Sequence, residues 1–125
     1  MIPGIRHIVT ALIAMAAPAL AETGMPSGYT HALFEAIHEE ETGLWRFRYL
    51  SAGLTLEDYA SVADDFLHLC EADILPALAQ AGETANQIVI SIADREVPFG
   101  TTDPQAVQFF EAFRVENDSC IWEEF

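Results

Sequence analysis

The sequence predicts an α+β fold: a small, mostly antiparallel sheet with the element order ββαβββ and one long or kinked helix packed on a face. Three observations predict this fold. The segment LWRFRYL alternates bulky apolar and charged side chains, as a half-buried strand does. Apolar residues then recur at helical spacing from Leu56 to Leu78. Further strand-like runs follow, separated from one another by turn-forming residues.

Two strands open the predicted domain. Residues 28–37, GYTHALFEAI, can alternate between two faces, and the polar run HEEETG then reverses the chain. In the next strand the aromatic side chains share one face and the arginines share the other: Trp45, Phe47 and Tyr49 against Arg46 and Arg48. We therefore expect this strand to be buried on its aromatic face only.

The predicted helix begins at a capping signal. Thr55 is a suitable N-cap, and Asp58 lies three residues further on, as in a capping box. Pro76 should kink or split the helix before Gly82 ends it. When the residues are turned at about 100° each, Asp65 lies nearly opposite the apolar stripe. The stripe that we expect to face the core contains Leu56, Tyr59, Ala60, Ala63, Phe66, Leu67, Cys70, Ile74 and Leu78.

The C-terminal part of the chain predicts three strands. The run QIVISIAD is apolar on both faces, which is typical of a central strand, and VPFGTTDPQ predicts a loop. Asp103 and Pro104 favour a short turn of helix within that loop. Residues 108–116 favour a strand, although residues 104–113 also fit helical spacing. ENDS then predicts a turn, and CIWEEF predicts the last strand.

The first 21 residues have the layout of a secretory signal peptide. Arg6 and the amino terminus precede an uncharged apolar run from Ile8 to Ala21, and Ala19 and Ala21 fit an A-x-A cleavage site. A retained membrane helix is the alternative, but this run is shorter than the roughly 20 residues that cross a bilayer. We therefore expect cleavage after Ala21, a single domain of residues 22–125 without stable membrane insertion, and a periplasmic or secreted bacterial location.

Export bears directly on the cysteines. Cys70 and Cys120 are the two cysteines of the chain, and an even count in an oxidising compartment favours a disulfide between them. In the chain-entropy model this cross-link contributes roughly 4 kcal/mol to stability. A redox or metal site is the alternative, but the pair lacks C-x-x-C spacing.

The charge balance excludes one class of function. After the predicted cleavage the chain holds four arginines and no lysine against twenty acidic residues, a net charge of −16. Such a surface repels nucleic acid and anionic lipid, because phosphate recognition depends on basic side chains.

The positions of the four arginines allow two interpretations. Each side chain lies in or next to a strand-like run and suits bidentate pairing with a carboxylate across the sheet. Alternatively, two or three of them converge into a pocket for a small anionic ligand. The candidate ligand-binding residues are Arg46, Arg48, Arg95 and Arg114.

Signals for metal binding and catalysis are sparse. Asp64 and His68 are spaced i, i+4 on the helix, close enough to touch one metal ion, but two ligands without a third are weak evidence and an ordinary helix ion pair is the alternative. No serine lies in a G-x-S-x-G setting, so no catalytic residue is predicted. No cofactor is predicted either. The C-terminal aromatic residues, including Phe125, fit core packing or a surface for a protein partner.

Four segments carry a resemblance to a known family: WRFRYL, HLCEADILPALA, QIVISIADREVPFG and QFFEAFRVENDSCIWEEF. On these segments the chain resembles a family of small, signal-peptide-bearing alphaproteobacterial proteins that is known only as a domain of unknown function. The resemblance covers most of the chain from about Ser27. It implies export and a shared fold, but it brings no activity and no catalytic residues.

These observations favour an exported, soluble, non-catalytic binding or accessory protein of a bacterial periplasm. Its expected partner is a small anionic ligand or another protein. The alternative is a small periplasmic enzyme or metal-binding protein that uses His68 and nearby carboxylates.

Overall fold

The computed structural model describes residues 24–124, so the predicted leader (residues 1–21) and Phe125 lie outside the described residues. Within that range a five-stranded mixed sheet and one long helix follow one another in the predicted ββαβββ order. The strands are β1 (Ala32–Glu39), β2 (Leu44–Leu50), β3 (Gln87–Ala93), β4 (Gln108–Glu116) and β5 (Ser119–Glu123). The long helix consists of a 3₁₀ turn (Leu56–Asp58), α1 (Tyr59–His68), a π-helical turn (Leu69–Ile74) and α2 (Leu75–Gln80).

The sheet is mostly antiparallel. Its strands lie in the order β1-β2-β3-β4-β5, and every neighbouring pair is antiparallel except β2 and β3. These two strands run parallel because the long helix carries the chain from one end of the sheet back to the other between them. The central position of β3 matches the prediction from its apolar sequence, and its residues 88–93 are buried.

The core lies between the long helix and one face of the sheet, which we call the inner face. Buried side chains of β2, β3 and β4 form this face: Trp45, Phe47, Tyr49, Ile88, Ile90, Ile92 and Phe113. The helix contributes Val62, Phe66, Leu69, Cys70, Ile74 and Leu78 to the same cluster. Burial of these apolar side chains supplies the main stabilising free energy of the fold.

The opposite, outer face of the sheet is also covered, and here the prediction for β2 was incomplete. The loop between β3 and β4 (residues 94–107, the covering loop) folds over this face. Val97 of this loop is buried. Arg48 is buried as a result. The strand is therefore buried on its aromatic face and partly covered on its arginine face.

The apolar stripe predicted for the helix is correct in its second half and wrong in its first. Leu56, Tyr59 and Leu67 are exposed, whereas Val62 and Asp65 are fully buried. The π-helical turn explains the error, because it adds a residue to one turn of the helix. A stripe extrapolated at 100° per residue through that turn is out of phase on the other side.

Pro76 distorts the helix and Gly82 ends it, as their residue types predict. The wide π-helical turn lies just before Pro76, and the Leu75 N–H donates to the Cys70 carbonyl five residues back. This widening accommodates a ring that would collide with an ordinary helical turn. Gly82 ends the helix with φ 72°, and the Glu83 N–H donates to the Leu78 carbonyl at 2.8 Å, as in a Schellman motif.

The structure differs from the prediction at the start of β1 and within the covering loop. The first strand begins at Ala32 rather than at residue 28, because the preceding segment packs against the helix instead. Asp103 and Pro104 start no helix. The Asp103 carboxylate accepts the N–H of Gln105 at 2.9 Å in a non-helical turn.

The predicted disulfide between Cys70 and Cys120 is confirmed, with 6.4 Å between the two Cα atoms. It joins the π-helical turn to β5, so it fixes the last strand against the helix. The neighbouring Glu71 carboxylate accepts the Cys120 N–H at 3.0 Å, which satisfies a backbone donor at the edge of the sheet. Within residues 24–124 no helix is long and apolar enough to span a membrane.

Candidate functional site

A pocket of about 110 Å³ lies on the outer face, between the sheet and the covering loop. Three neighbouring strands form its floor, and residues 98–101 of the covering loop form one wall. The strands contribute two side chains each: Arg46 and Arg48 from β2, Val89 and Ser91 from β3, and Gln108 and Phe110 from β4. The period-two geometry of the strands places these side chains on one face.

Arg48 holds the covering loop in place. Its Nη1 donates to Oε1 of Glu35 on β1, and its Nη2 donates to the carbonyl of Val97 at 2.5 Å. The guanidinium also lies 5.0 Å from the ring centroid of Phe34. Both terminal amino groups of Arg48 are therefore used within the protein.

Arg46 is used less completely. Its Nε donates to Oε2 of Glu39 at 3.0 Å, and its side chain is 30% exposed. Its two terminal amino groups have no hydrogen-bond partner among the described residues. Because these amino groups form the planar fork that binds carboxylates, Arg46 can accept an anion without breaking its existing ion pair.

Phe99 lies at the tip of the covering loop and connects the two arginines. Its ring centroid is 5.4 Å from Cζ of Arg46 and 5.7 Å from Cζ of Arg48. Such cation–π contacts hold the two guanidinium groups in place against the ring. Phe99 is nevertheless half exposed, so it forms the rim of the pocket rather than part of the core.

Ser91 lies at the floor of the pocket and is 3% exposed. Its hydroxyl has no hydrogen-bond partner in the part of the chain that the structure describes. A buried hydroxyl without a partner is destabilising, so the Ser91 hydroxyl is available to bond a water molecule or a ligand group in the pocket.

Asp94 anchors the covering loop where it leaves β3. Its carboxylate accepts the Val107 N–H at 2.9 Å and pairs with Arg95, and its backbone N–H donates to the Val107 carbonyl at 2.9 Å. The hydrogen bonds from Arg95 hold the pKa of Asp94 below its ordinary value. These contacts join the first and last residues of the loop.

The structure brings together only two of the four predicted ligand-binding arginines. Arg46 and Arg48 line the pocket, whereas Arg95 pairs with Asp94 and Arg114 pairs with Glu116 and Glu123. Carboxylate pairing accounts for Arg95 and Arg114. Ligand binding at any of the four residues stays a prediction.

The predicted metal ligands are not joined in this structure. Asp64 is exposed, and neither a hydrogen bond nor an ion pair connects it to His68 among the described residues. His68 instead interacts electrostatically with the buried Asp73, whose pKa is raised by burial and partly lowered again by the histidine. Across residues 24–124, no three His, Cys, Asp or Glu side chains form a group that could hold a metal ion.

A buried polar network is the feature that sequence analysis missed. His31 and Asp65 are both fully buried, and Nε2 of His31 lies 2.7 Å from Oδ2 of Asp65. Asp65 also accepts the hydroxyl of Ser27 at 2.5 Å and its N–H at 3.0 Å. This is not a nucleophilic triad, because the serine donates to the carboxylate and not to the imidazole. The sequence signal that could have indicated this network is His31, a histidine in an otherwise apolar strand-like run.

Two exposed aromatic residues, Trp122 and Tyr59, lie near each other at β5 and the start of the helix. Trp122 is 57% exposed, and its Nε1 donates to Oε1 of Glu111 at 2.6 Å. Tyr59 donates to Oε2 of the same carboxylate, which raises the pKa of the tyrosine, and its ring contacts Phe109 edge to face. The Trp122 N–H, the Tyr59 hydroxyl and the Glu111 carboxylate thus bond one another, whereas Arg46 and Ser91 keep donors that no described residue uses.

Comparison with known proteins identifies one family match. Residues 9–125 match the family described as "Family of unknown function (DUF6497)". Neither a curated protein nor a solved structure matches the chain. Any functional conclusion therefore depends on the geometry of the pocket.

Proposed function

Because the chain belongs to DUF6497, a family of unknown function, we propose a function from its own geometry: it is a non-catalytic, exported protein that binds a small anion in the outer-face pocket. The observation that carries the proposal is the combination of Arg46 and Ser91. Both side chains line the pocket, and both present hydrogen-bond donors that no described residue uses. Two unused donors beside one cavity favour an external acceptor.

Local charge supports an anion as the ligand. Although the whole chain has a formal charge of −15, Glu39 and Glu35 only balance Arg46 and Arg48 at the pocket. The pocket is therefore neutral within an acidic molecule. Because it is also partly enclosed by apolar groups, hydrogen bonds from a guanidinium to an anion are stronger there than on an open surface.

We further propose that the protein is exported to the periplasm of an alphaproteobacterium and that residues 22–125 form one α+β domain. The signal-like N-terminal sequence supports the first part. The disulfide supports it as well, since such bonds persist in oxidising compartments. The core shared by the sheet and the long helix supports the second part.

Titration with small carboxylates, followed by NMR of the protein amides, tests the anion site. Acetate and propionate should give saturable shifts at β2, β3 and the covering loop. Arg46→Gln should weaken this binding at least tenfold, because a neutral amide replaces the charged fork. Arg114→Gln is the matched control, since it removes an exposed arginine of the same sheet outside the pocket, and it should leave the affinity unchanged. Equal effects of the two substitutions, or no saturable shifts, would contradict the proposal.

A metal-binding protein or small enzyme at His68 is the second candidate function. The observation that favours it is Asp73, which is buried beside His68 with one carboxylate oxygen that has no hydrogen-bond partner among the described residues. Metal analysis of the purified protein separates the two candidates. A stoichiometric metal that disappears in His68→Ala would support this second function, whereas the anion proposal expects His68→Ala to leave carboxylate binding unchanged.

A further inference from the structure

Resting on the proposed anion site, we infer that the ligand is a short monocarboxylate with a second oxygen, a hydroxyl or keto group, a few atoms from its carboxylate. The carboxylate binds the terminal amino groups of Arg46. The second oxygen binds the hydroxyl of Ser91. Four observations carry this inference: the size of the pocket, its charge, the burial of Ser91 and the apolar side chains between the two polar positions.

The size of the pocket limits the ligand. Its volume is about 110 Å³, somewhat less than the ~150 Å³ of an engineered cavity that binds benzene. A ligand of about four to six non-hydrogen atoms fits a space of this size. Nucleotides, sugars and peptides are too large to be enclosed.

The charge of the pocket selects a single negative charge. Arg48 has no unused amino group, because one binds Glu35 and the other binds the Val97 carbonyl. Of the two pocket arginines, only Arg46 has terminal amino groups that are not already hydrogen-bonded to a described residue. Its Nε lies 3.0 Å from Oε2 of Glu39. A second negative charge on the ligand would lie near these carboxylates without a cation of its own, so dianions are disfavoured.

The position of Ser91 requires a second polar atom on the ligand. Ser91 pairs with Arg48 in the sheet register, and Val89 pairs with Arg46, so Ser91 lies diagonally across from Arg46 on the same face. Neighbouring strands lie about 4.8 Å apart and two residues along a strand span about 6.6 Å, so the two Cα atoms are about 8 Å apart. Because the pocket encloses only about 110 Å³, a ligand that joins the two side chains has its polar groups on neighbouring or nearly neighbouring carbons. The hydroxyl of Ser91 can donate to a keto oxygen or exchange a hydrogen bond with a hydroxyl.

Four apolar side chains line the pocket around these two positions, beside the polar Gln108 and Thr101. Val89 and Phe110 lie beside Ser91 on the floor, and Pro98 and Phe99 close the pocket from the loop. They favour a ligand with a methyl or methylene group rather than an inorganic anion of the same size. Hydroxy and keto acids of three or four carbons combine all of these features.

Lactate and propionate form a direct test, because they differ by one hydroxyl. Their dissociation constants are measured by NMR titration of the disulfide-bonded protein at pH 7.5, together with those of malonate and phosphate. We expect lactate to bind about tenfold more tightly than propionate, since one hydrogen bond to a buried group has about this value. Ser91→Ala should make the two affinities equal. Malonate and phosphate should bind more weakly than lactate.

Thr101→Val is the matched control for the loss of a hydroxyl. Thr101 lines the same pocket, but its hydroxyl already donates to the Pro98 carbonyl at 2.8 Å. The ratio of lactate to propionate affinity should therefore persist in this variant, even if both affinities change.

Four results would overturn the inference, and they distinguish its failure from that of the proposed function. Binding that depends on Arg46 but shows no preference for lactate, or a preference that survives Ser91→Ala, would overturn the ligand class alone. Tighter binding of malonate than of lactate would do the same. The absence of any binding that depends on Arg46 would overturn both the ligand class and the anion site.

Discussion

Asp64 and Asp65 are neighbours in the sequence but lie in opposite environments. Asp64 points to solvent, whereas Asp65 is fully buried and accepts hydrogen bonds from Ser27 and His31. The buried carboxylate thereby connects the segment before β1 to the helix. Helical periodicity assigned both residues to the solvent side, because a sequence pattern records apolar residues and not the hydrogen bonds that compensate a buried charge.

Asp65→Ala should lower the free energy of unfolding by about 3–5 kcal/mol, because it leaves the buried His31 without its partner. Urea denaturation measures this difference. Asp64→Ala removes the same charge from the neighbouring exposed position and should change stability by less than about 0.5 kcal/mol. Similar losses in both variants would show that the network contributes little.

Asp73 predicts a dependence of stability on pH. Burial raises its pKa above the ordinary 3.8, and the nearby Tyr49 is buried with a raised pKa as well. The folded state therefore binds the Asp73 proton more tightly than the unfolded state does, so this carboxyl makes folding less favourable as pH rises through its folded pKa. The effect is absent in acid, well below pH 3.8, and complete above the folded pKa.

Asp73→Asn removes this titration. The free energy of unfolding of the variant, relative to the natural chain, should therefore increase as pH rises from about 3.8 toward neutrality. Denaturation curves at several pH values measure the difference. Asp64→Asn controls for the loss of one negative charge on the same helix. A difference that stays constant across this range would contradict the assignment of the effect to Asp73.

At the scale of the elements, the sequence predicts the positions of the strands. It does not predict that the covering loop packs over the outer face of the sheet. The predicted segment LWRFRYL coincides with β2, and residues 108–116 form a strand as favoured. Strong alternation of side chains over a short run suffices to locate such strands. The burial of Arg48 instead depends on the Val97 carbonyl, 49 residues further along the chain, and no local pattern indicates that contact.

The turn between β4 and β5 contains positive φ angles that reduce stability, and one substitution to glycine can relieve this effect. Asn117 and Asp118 adopt φ angles of 51° and 63°, a left-handed conformation that Asn and Asp tolerate better than other side chains but that glycine adopts at lower free energy. A two-residue hairpin turn of this kind is best served by Asn-Gly. Asp118→Gly should therefore raise the free energy of unfolding by about 0.5–1 kcal/mol, as measured by thermal denaturation.

Ser119→Gly is the matched control for this turn, because it places glycine one residue further on, at the first residue of β5. Glycine within a strand should lower stability by about 0.5–1 kcal/mol. A gain from both substitutions would indicate that flexibility in general, and not relief of the positive φ angle, stabilises the hairpin.

At the scale of the whole molecule, the disulfide cross-links the long helix to the last strand. The Cys70–Cys120 bond closes a loop that contains β3 and β4 and joins the helix to the last strand. Replacing both cysteines by serine should lower the free energy of unfolding by about 4 kcal/mol, as judged by urea denaturation. Reduction of the natural chain should have a similar effect. Equal stability of the oxidised and reduced proteins would show that the remaining contacts already hold β5.

The position of the pocket relates to the charge of the whole molecule. The chain carries 20 acidic residues and five arginines, and two of those arginines lie in one pocket with balancing glutamates. An anion therefore approaches a repulsive surface but meets a neutral site. Composition alone predicts the repulsion. Only the fold, which brings β1 and the covering loop around β2, explains why the charge at the pocket is locally balanced.

The excess of negative charge should make the stability of the protein rise with salt. Raising sodium chloride from 0.01 M to 1 M shortens the Debye length from about 30 Å to about 3 Å and screens the repulsion between carboxylates. We expect a gain of roughly 1 kcal/mol, which corresponds to an increase of about 4–8 °C in Tm for a domain of this size. Near pH 4.2, where the positive and negative charges of the sequence balance, the same addition of salt should leave Tm almost unchanged. An equal increase at both pH values would mean that salt acts on apolar burial rather than on charge, since that contribution does not depend on ionisation.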